Sequence, residues 1–397
     1  MSSTKLKTAN IVSLDATKLT GTLPAISGAN LTGVSPFTVS ASDPAIATNP
    51  SGGVGTIWMN STSGNSFVCT GATAGSNIWT NCGTGATNYG KSFGGSGPGT
   101  VAGYTAGGYT TTTFHKDTVD KFSIPNPSGT ATDHANLTNG VTAPAGCCST
   151  TNGYIVGGQT KGYGSNPPNN NHWTKIQKYN FAAANTVSQP GDITQGHYGS
   201  AGHSSATDGY ISGGVTIVSA TARIEKFMFS SENSVTTVGN LVVARRLSNC
   251  GHSSNTHGYA STGESPTADH IDKFSFASNA TATDVGNLTV ARYSSAGISS
   301  DTHGYIAGGN GPLTNRLDRF SFSSNGDATD VGDLSEAKAS SAGVSGSTKG
   351  YVSGAYQATS GAPGQGRIDE FAYAASVNAT NVATLFDARG YSTGTQH

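Results

Sequence analysis

One six-letter phrase is written six times along this chain of 397 residues. It reads GYTAGG at 103–108, GYIVGG at 153–158, GYISGG at 209–214, GYASTG at 258–263, GYIAGG at 304–309 and GYVSGA at 350–355. Three more columns keep step with it. The first is an apolar residue, two polar ones and an aromatic: VDKF at 119–122, IQKY at 176–179, IEKF at 224–227, IDKF at 271–274, LDRF at 317–320 and IDEF at 368–371. The second is a Leu or Ile at 137, 193, 241, 288, 334 and 385. The third is a small residue before Gly, as in Ala145-Gly146, Ala201-Gly202, Cys250-Gly251, Ala296-Gly297, Ala342-Gly343 and Thr393-Gly394. The cleanest copies stand 46 residues apart, at Gly258, Gly304 and Gly350, and the widest spacing, Gly153 to Gly209, is 56. A period in this range marks a propeller or an array of stacked units.

Each copy holds four short β-like runs with turn residues between them, and no window has a helical period. In the fifth copy these runs are SSAGISS, THGYIAGG, RLDRFSFSS and DATDVGDLS. Phe320 and Phe322 share one face of the third run while Leu317 takes the other, so both faces of the sheet need cover. Sheets stacked face to face meet that demand. Gly is 55 of 397 residues and charged residues are 11%, against about 25% in an average domain. Disorder is not the reading, because the net charge is −1 and Tyr and Phe number 15 and 14. The composition fits an ordered all-β protein rich in turns.

The first copy lacks a small-Gly strand seven residues upstream, where Ser96 stands. The last copy ends ARGYSTGTQH, a spare first strand with no GYxxGG after it. One orphan completes the other. Residues 388–396 are expected to pair beside 100–108, closing a six-bladed β-propeller over 100–397 with no exposed sheet edge at the seam. The diglycine, the third-strand aromatic and a basic residue before the next first strand (Arg245, Arg292, Lys338, Arg389) resemble the kelch repeat. The resemblance covers about three quarters of the chain. It departs from the family in the fourth strand, where TDVGNL replaces the expected Trp, and in the weakened diglycines Thr262-Gly263 and Gly354-Ala355.

The first hundred residues have another texture. KLTGTLPAISGANLTG, within an extended segment 1–42, resembles the attachment regions of bacteriophage tail fibres, where three chains wind together. A single chain cannot bury Leu19, Leu23, Ile26 and Leu31 in so short a run, so self-association, by resemblance as a homotrimer, or a docking partner is implied. Residues 43–83 read as a small β module with Trp58, Phe67 and Trp79 as its core, similar to modules between attachment segments and distal domains of phage structural proteins. Residues 84–99 read as a linker. Cys69 and Cys82 could face one another in the module, but five cysteines without regular spacing do not make a disulfide framework.

Chemistry is sparse. Of the ten histidines, His203 and His252 share one repeat column and His257 and His303 another; equivalent columns lie in different blades, whereas metal ligands must converge. Asp272, Asp318 and Asp369 recur in the third strand, where a structural hydrogen bond is the expected role. No catalytic residue, metal or cofactor is expected. Near-neutral charge gives no case for nucleic acid or an anionic membrane as partner, no N-terminal apolar run has signal-peptide length, and no stretch is long and apolar enough to span a bilayer.

Loops are where such a fold places function. The longest links between second and third strands belong to copies one, two and six, which closure makes neighbours. They offer Tyr109, Phe114, His115, Tyr163, His172, Trp173 and Tyr356, aromatics among amides that suit a sugar or peptide surface. Arg245, Arg292, Lys338 and Arg389, with Arg246, have two readings: a basic ring at the channel mouth that contacts a ligand, or hydrogen bonding between blades. Together these features point to a bacteriophage tail or head fibre on the virion exterior. Its N-terminal region would bind other virion proteins, and its propeller would recognise a host-surface glycan or protein without bond cleavage. The alternatives are a structural decoration or neck protein, a glycan-degrading enzyme, and a cytosolic scaffold.

Overall fold

The computed structural model describes residues 37–50, 52–61, 65–83, 99–110, 112–160, 172–247, 250–264, 269–359 and 365–397, and these form strands and turns with no helix among them. Leu19, Leu23, Ile26, Leu31 and Tyr163 lie outside the described residues. The chain divides into two compact units, Met1–Tyr89 and Gly90–His397.

In the first unit, four strands lie in chain order: Phe37–Ser40, Ile57–Asn60, Ser66–Gly71 and Ile78–Gly83. The module therefore reaches back to Phe37, whose strand pairs parallel to Ile57–Asn60. Trp58 and Trp79 meet edge to face at 5.8 Å, and their indole N–H groups donate to the carbonyls of Ser42 and Thr48. Phe67 and Cys69 are buried beside them, and Cys69 is a free thiol.

The second unit is an all-β, propeller-like fold. Its described residues hold six sheets that share a four-stranded antiparallel order, one of them extended by the parallel strand Gly129–Thr130, and a two-stranded sheet of Lys338–Ala339 with Gln357–Ala358. The sheet of the fifth copy runs Ala296–Ser299, His303–Gly309, Thr314–Ser321 and Thr329–Asp333, in that order. The sheet of the first copy takes its first strand from the other end of the chain. Thr393–Gln396 pairs antiparallel with Ala102–Ala106, Thr393 opposite Ala106 and Gln396 opposite Gly103.

The structure explains why the phrase repeats. The glycine of each GY stands opposite the third-strand aromatic: Gly103 with Phe122, Gly153 with Tyr179, Gly209 with Phe227, Gly258 with Phe274, Gly304 with Phe320 and Gly350 with Phe371. A Cβ at any of the six would fall 2.3–2.4 Å from that ring. The ring fills the space a side chain would need, so the pair is one packing unit.

The tyrosine of each GY is spent on the next sheet. Tyr104 stacks on Phe181 at 4.9 Å, Tyr154 on Phe229 at 5.0 Å, Tyr210 on Phe276 at 4.7 Å, Tyr259 on Phe322 at 4.8 Å and Tyr305 on Tyr373 at 5.0 Å. In the sixth copy Tyr351 shares a core cluster with Ile124 of the first copy and donates to Pro125 O at 2.8 Å. The apolar third-strand residues and the column Leu137, Ile193, Leu241, Leu288, Leu334 and Leu385 are buried throughout. Such stacked aromatics contribute about 0.5–1.5 kcal/mol each beyond the area they bury.

The small-Gly strands lie against one another. A Cβ on Gly202 would strike the carbonyl of Gly146; Gly251 would strike Gly202, Gly297 would strike Gly251, Gly343 would strike Gly297, Gly394 would strike Gly343, and Gly146 would strike Gly394. Each backbone rests on its neighbour with no room for a side chain.

Candidate functional site

The four basic residues before the first strands do not ring an open mouth. Arg245, Arg292, Lys338 and Arg389 are 0–1% exposed, and each meets a buried third-strand carboxylate. The pairs are Arg245–Asp272 at 2.7 Å, Arg292–Asp318 at 3.0 Å, Lys338–Asp369 at 3.2 Å and Arg389–Asp120 at 3.0 Å. The ligand-contacting reading of these residues is therefore corrected to a structural one. Copy three makes the same junction with His197 and Glu225 at 3.3 Å, and copy two places Val141 and Gln177 there, with no charge at all. Gln177 instead exchanges two hydrogen bonds with the backbone of Asn139. The basic and acidic partners thus change together from copy to copy, as a buried charge requires.

Burial raises the Asp120 and Asp272 carboxyls despite the arginine beside each, and it lowers the Lys338 ammonium despite Asp369. Glu225 ends below its ordinary value: burial pushes it up, but the bonds from His197 and Thr194 outweigh that. Each acid also holds the turn that precedes its partner, as Asp318 does by accepting from Thr289 N and Oγ1.

Above these pairs the chain turns into each first strand through a residue with positive φ: Ala143, Gly199, Leu247, Ser294, Ser340 and Tyr391, at 50–65°. These residues are linked by backbone hydrogen bonds. Ala143 N donates to Tyr391 O, Gly199 to Ala143, Ser294 to Leu247, Ser340 to Ser294 and Tyr391 to Ser340. The neighbouring connector residue pairs in turn with the residue that leaves the diglycine, as in Tyr109 with Gly390, Thr142 with Gln159, Tyr198 with Val215 and Arg246 with Glu264. All six copies share the positive-φ residue, and copy four has one residue more between it and the first strand.

On one side of the collar lies a hollow of about 160 Å³. Its walls are Tyr109, Tyr356 and Tyr391 on one flank and Tyr198, Arg246 and Leu247 on the other. Ala143, Thr142, Gln159 and His115 complete the lining. Ala143 and its neighbour Gly199 are small where Tyr391 and Leu247 are large, and this difference opens the space. Tyr109 meets Tyr356 at 5.2 Å, Tyr391 at 6.4 Å and Phe114 at 5.6 Å, and Tyr356 meets Tyr391 at 4.9 Å. Burial, together with the adjacent Tyr356 hydroxyl, raises the Tyr109 phenol, which is a neutral group at pH 7. His115 Nδ1 lies 2.9 Å from Thr142 Oγ1, which donates to Phe114 O.

The sequence-predicted residues divide as follows. Tyr109, His115 and Tyr356 line the hollow together. Phe114 packs on Tyr109 and is 44% exposed at the rim. His172 meets Tyr198 at 5.1 Å, behind the wall, and burial and then His197 lower its imidazole. Trp173 packs on the core cluster of the first and second sheets, which makes it an anchor of its link. Tyr391, Tyr198, Gln159, Thr142 and Leu247 were missed. The signal for Tyr391 was present in ARGYSTG, where a large residue stands in a column otherwise filled by Ala, Gly, Ser and one Leu.

Among the described residues no three His, Cys, Asp or Glu side chains gather as a metal site, and no helix is long and apolar enough to cross a membrane. No family model matches the chain, and no curated protein matches it.

Proposed function

We propose that the second unit is a six-bladed ring closed by Thr393–Gln396 on Ala102–Ala106, and that it is a carbohydrate-recognition module whose ligand sits in the hollow at the collar. The observation that carries this reading is the convergence of Tyr109, Tyr356, Tyr391 and Tyr198 around one opening with Gln159, His115 and Arg246 between them. Tyrosine presents a flat apolar face and a polar tip at low entropic cost. A pyranose ring matches it, with C–H groups for the ring faces and hydroxyls for the amide, imidazole and guanidinium. The described lining has no carboxylate, so the role is binding and not glycoside cleavage, which takes a pair of them.

In this reading the chain is a bacteriophage fibre protein. The segment containing Leu19, Leu23, Ile26 and Leu31 would join it to the particle and to two further copies, and the ring would face a host-surface glycan. Support comes from the fibre-like texture of that segment and the low surface charge. Binding of the full-length protein to host-envelope polysaccharide, followed by calorimetry, tests the module. Tyr356→Ala should weaken binding at least tenfold without lowering the melting temperature by more than a few degrees. Equal binding by that variant and the wild type would reject the hollow as the site.

A further inference from the structure

The hollow is neutral except at one point. Arg246 lines it, its side chain is 43% exposed, and its partner Glu264 lies 3.1 Å away, itself 30% exposed. At the same collar position the other copies place Thr142, Tyr198, Tyr293, Ala339 and Gly390. None of the five bears a cation there, so the backbone pairing made at this position does not depend on a guanidinium. The four basic residues of the junction column are fully buried and committed to Asp partners. Arg246, next to Arg245 in the chain, is by contrast part-exposed and lines the hollow beside the aromatic wall.

Its hold on Glu264 is weak in form. Arg246 Nε is enclosed and makes no hydrogen bond to Glu264 despite the short separation. Half-exposed ion pairs contribute about 0–1 kcal/mol, so an incoming carboxylate that docks bidentate on the guanidinium can displace Glu264. We propose that the ligand of the hollow is an acidic sugar, with its ring against the tyrosine wall and its carboxylate on Arg246, and that Glu264 holds the arginine in place until the ligand arrives. This rests on the carbohydrate reading above and adds the charge of the ligand to it.

The test uses full-length protein and a panel of galacturonate, glucuronate, mannuronate and N-acetylneuraminate oligosaccharides, each beside its carboxyl-reduced neutral counterpart. At least one acidic member should bind tenfold or more tighter than its reduced form. Arg246→Gln should abolish that preference, Glu264→Gln should strengthen binding, and raising salt should weaken it. Equal binding of acidic and reduced partners, or an unchanged preference in Arg246→Gln, overturns the proposal and leaves the carbohydrate reading standing. Failure of every member of both sets to bind overturns the two together.

Discussion

At the scale of single residues, strain and burial identify which letters of the repeat are fixed. The first diglycine position has φ of 60–67° in all six copies, and copy four places Thr262 there at 67°. A β-branched residue in that region costs about 1–2 kcal/mol, and its Oγ1 is buried without a hydrogen-bond partner. Thr262→Gly should raise stability by about 1 kcal/mol, read as a higher urea midpoint. Tyr391 also sits at positive φ, 52°, so Tyr391→Gly should leave stability within about 1 kcal/mol of wild type while weakening glycan binding. A large loss of stability would make that side chain structural. His203 and His252 are fully buried, each with Nδ1 at a backbone carbonyl of the next sheet and Nε2 at a serine hydroxyl. Burial lowers them to about 4 and about 3. The unfolded imidazoles take up protons near pH 6.5, so their stabilisation is complete above that pH and is lost as pH falls through 4 and 3. The urea midpoint should drop across this window, and His203→Gln with His252→Gln should flatten the drop.

At the scale of elements, the junction pair joins the approach to a first strand with its third strand. Removing one partner leaves a buried charge, so Asp318→Asn should cost about 3–5 kcal/mol by urea unfolding. Copy two supplies the remedy, because Val141 and Gln177 meet the same geometry without charge. Arg292→Val with Asp318→Gln should therefore recover more than half of that loss. A double variant no better than the single one would show that the pair is not an exchangeable module. This arrangement also shows what was legible in the sequence. The GYxxGG phrase and the third-strand aromatic gave strands, faces and sheet order, because steric rules that repeat leave a pattern that repeats. The Asp column was read as making a structural hydrogen bond, and each Asp meets the basic residue and the turn that precedes it. The basic column was ambiguous, since a basic residue before a strand looks the same in sequence whether it faces water or a buried carboxylate. The hollow was half legible. Link length marked Tyr109, His115 and Tyr356, but Tyr198 and Tyr391 come from turns of ordinary length and reach the site through the collar's backbone geometry, which no single copy reveals.

At the scale of the whole molecule, the proposed ring makes the hollow possible. Tyr391 lies at the end of the chain and Tyr109 near the start of the repeats, and they meet because Thr393–Gln396 pairs with Ala102–Ala106. Arg389 secures the same seam more fully than its counterparts do theirs. It bonds Asp120 and the carbonyls of Thr105, Gly107, Thr118 and Asp387, whereas Arg245 and Arg292 each leave a buried Nε without a partner. The best-satisfied junction is the one that covalent continuity does not help to form. The most direct measurement is cross-linking of Ala106→Cys with Thr393→Cys in the full-length protein, using a short thiol-specific reagent under native conditions. Rapid cross-linking within one chain, together with a higher melting temperature, is the result expected of a ring shut by its own last strand. No intrachain product, or products only between chains, would contradict it.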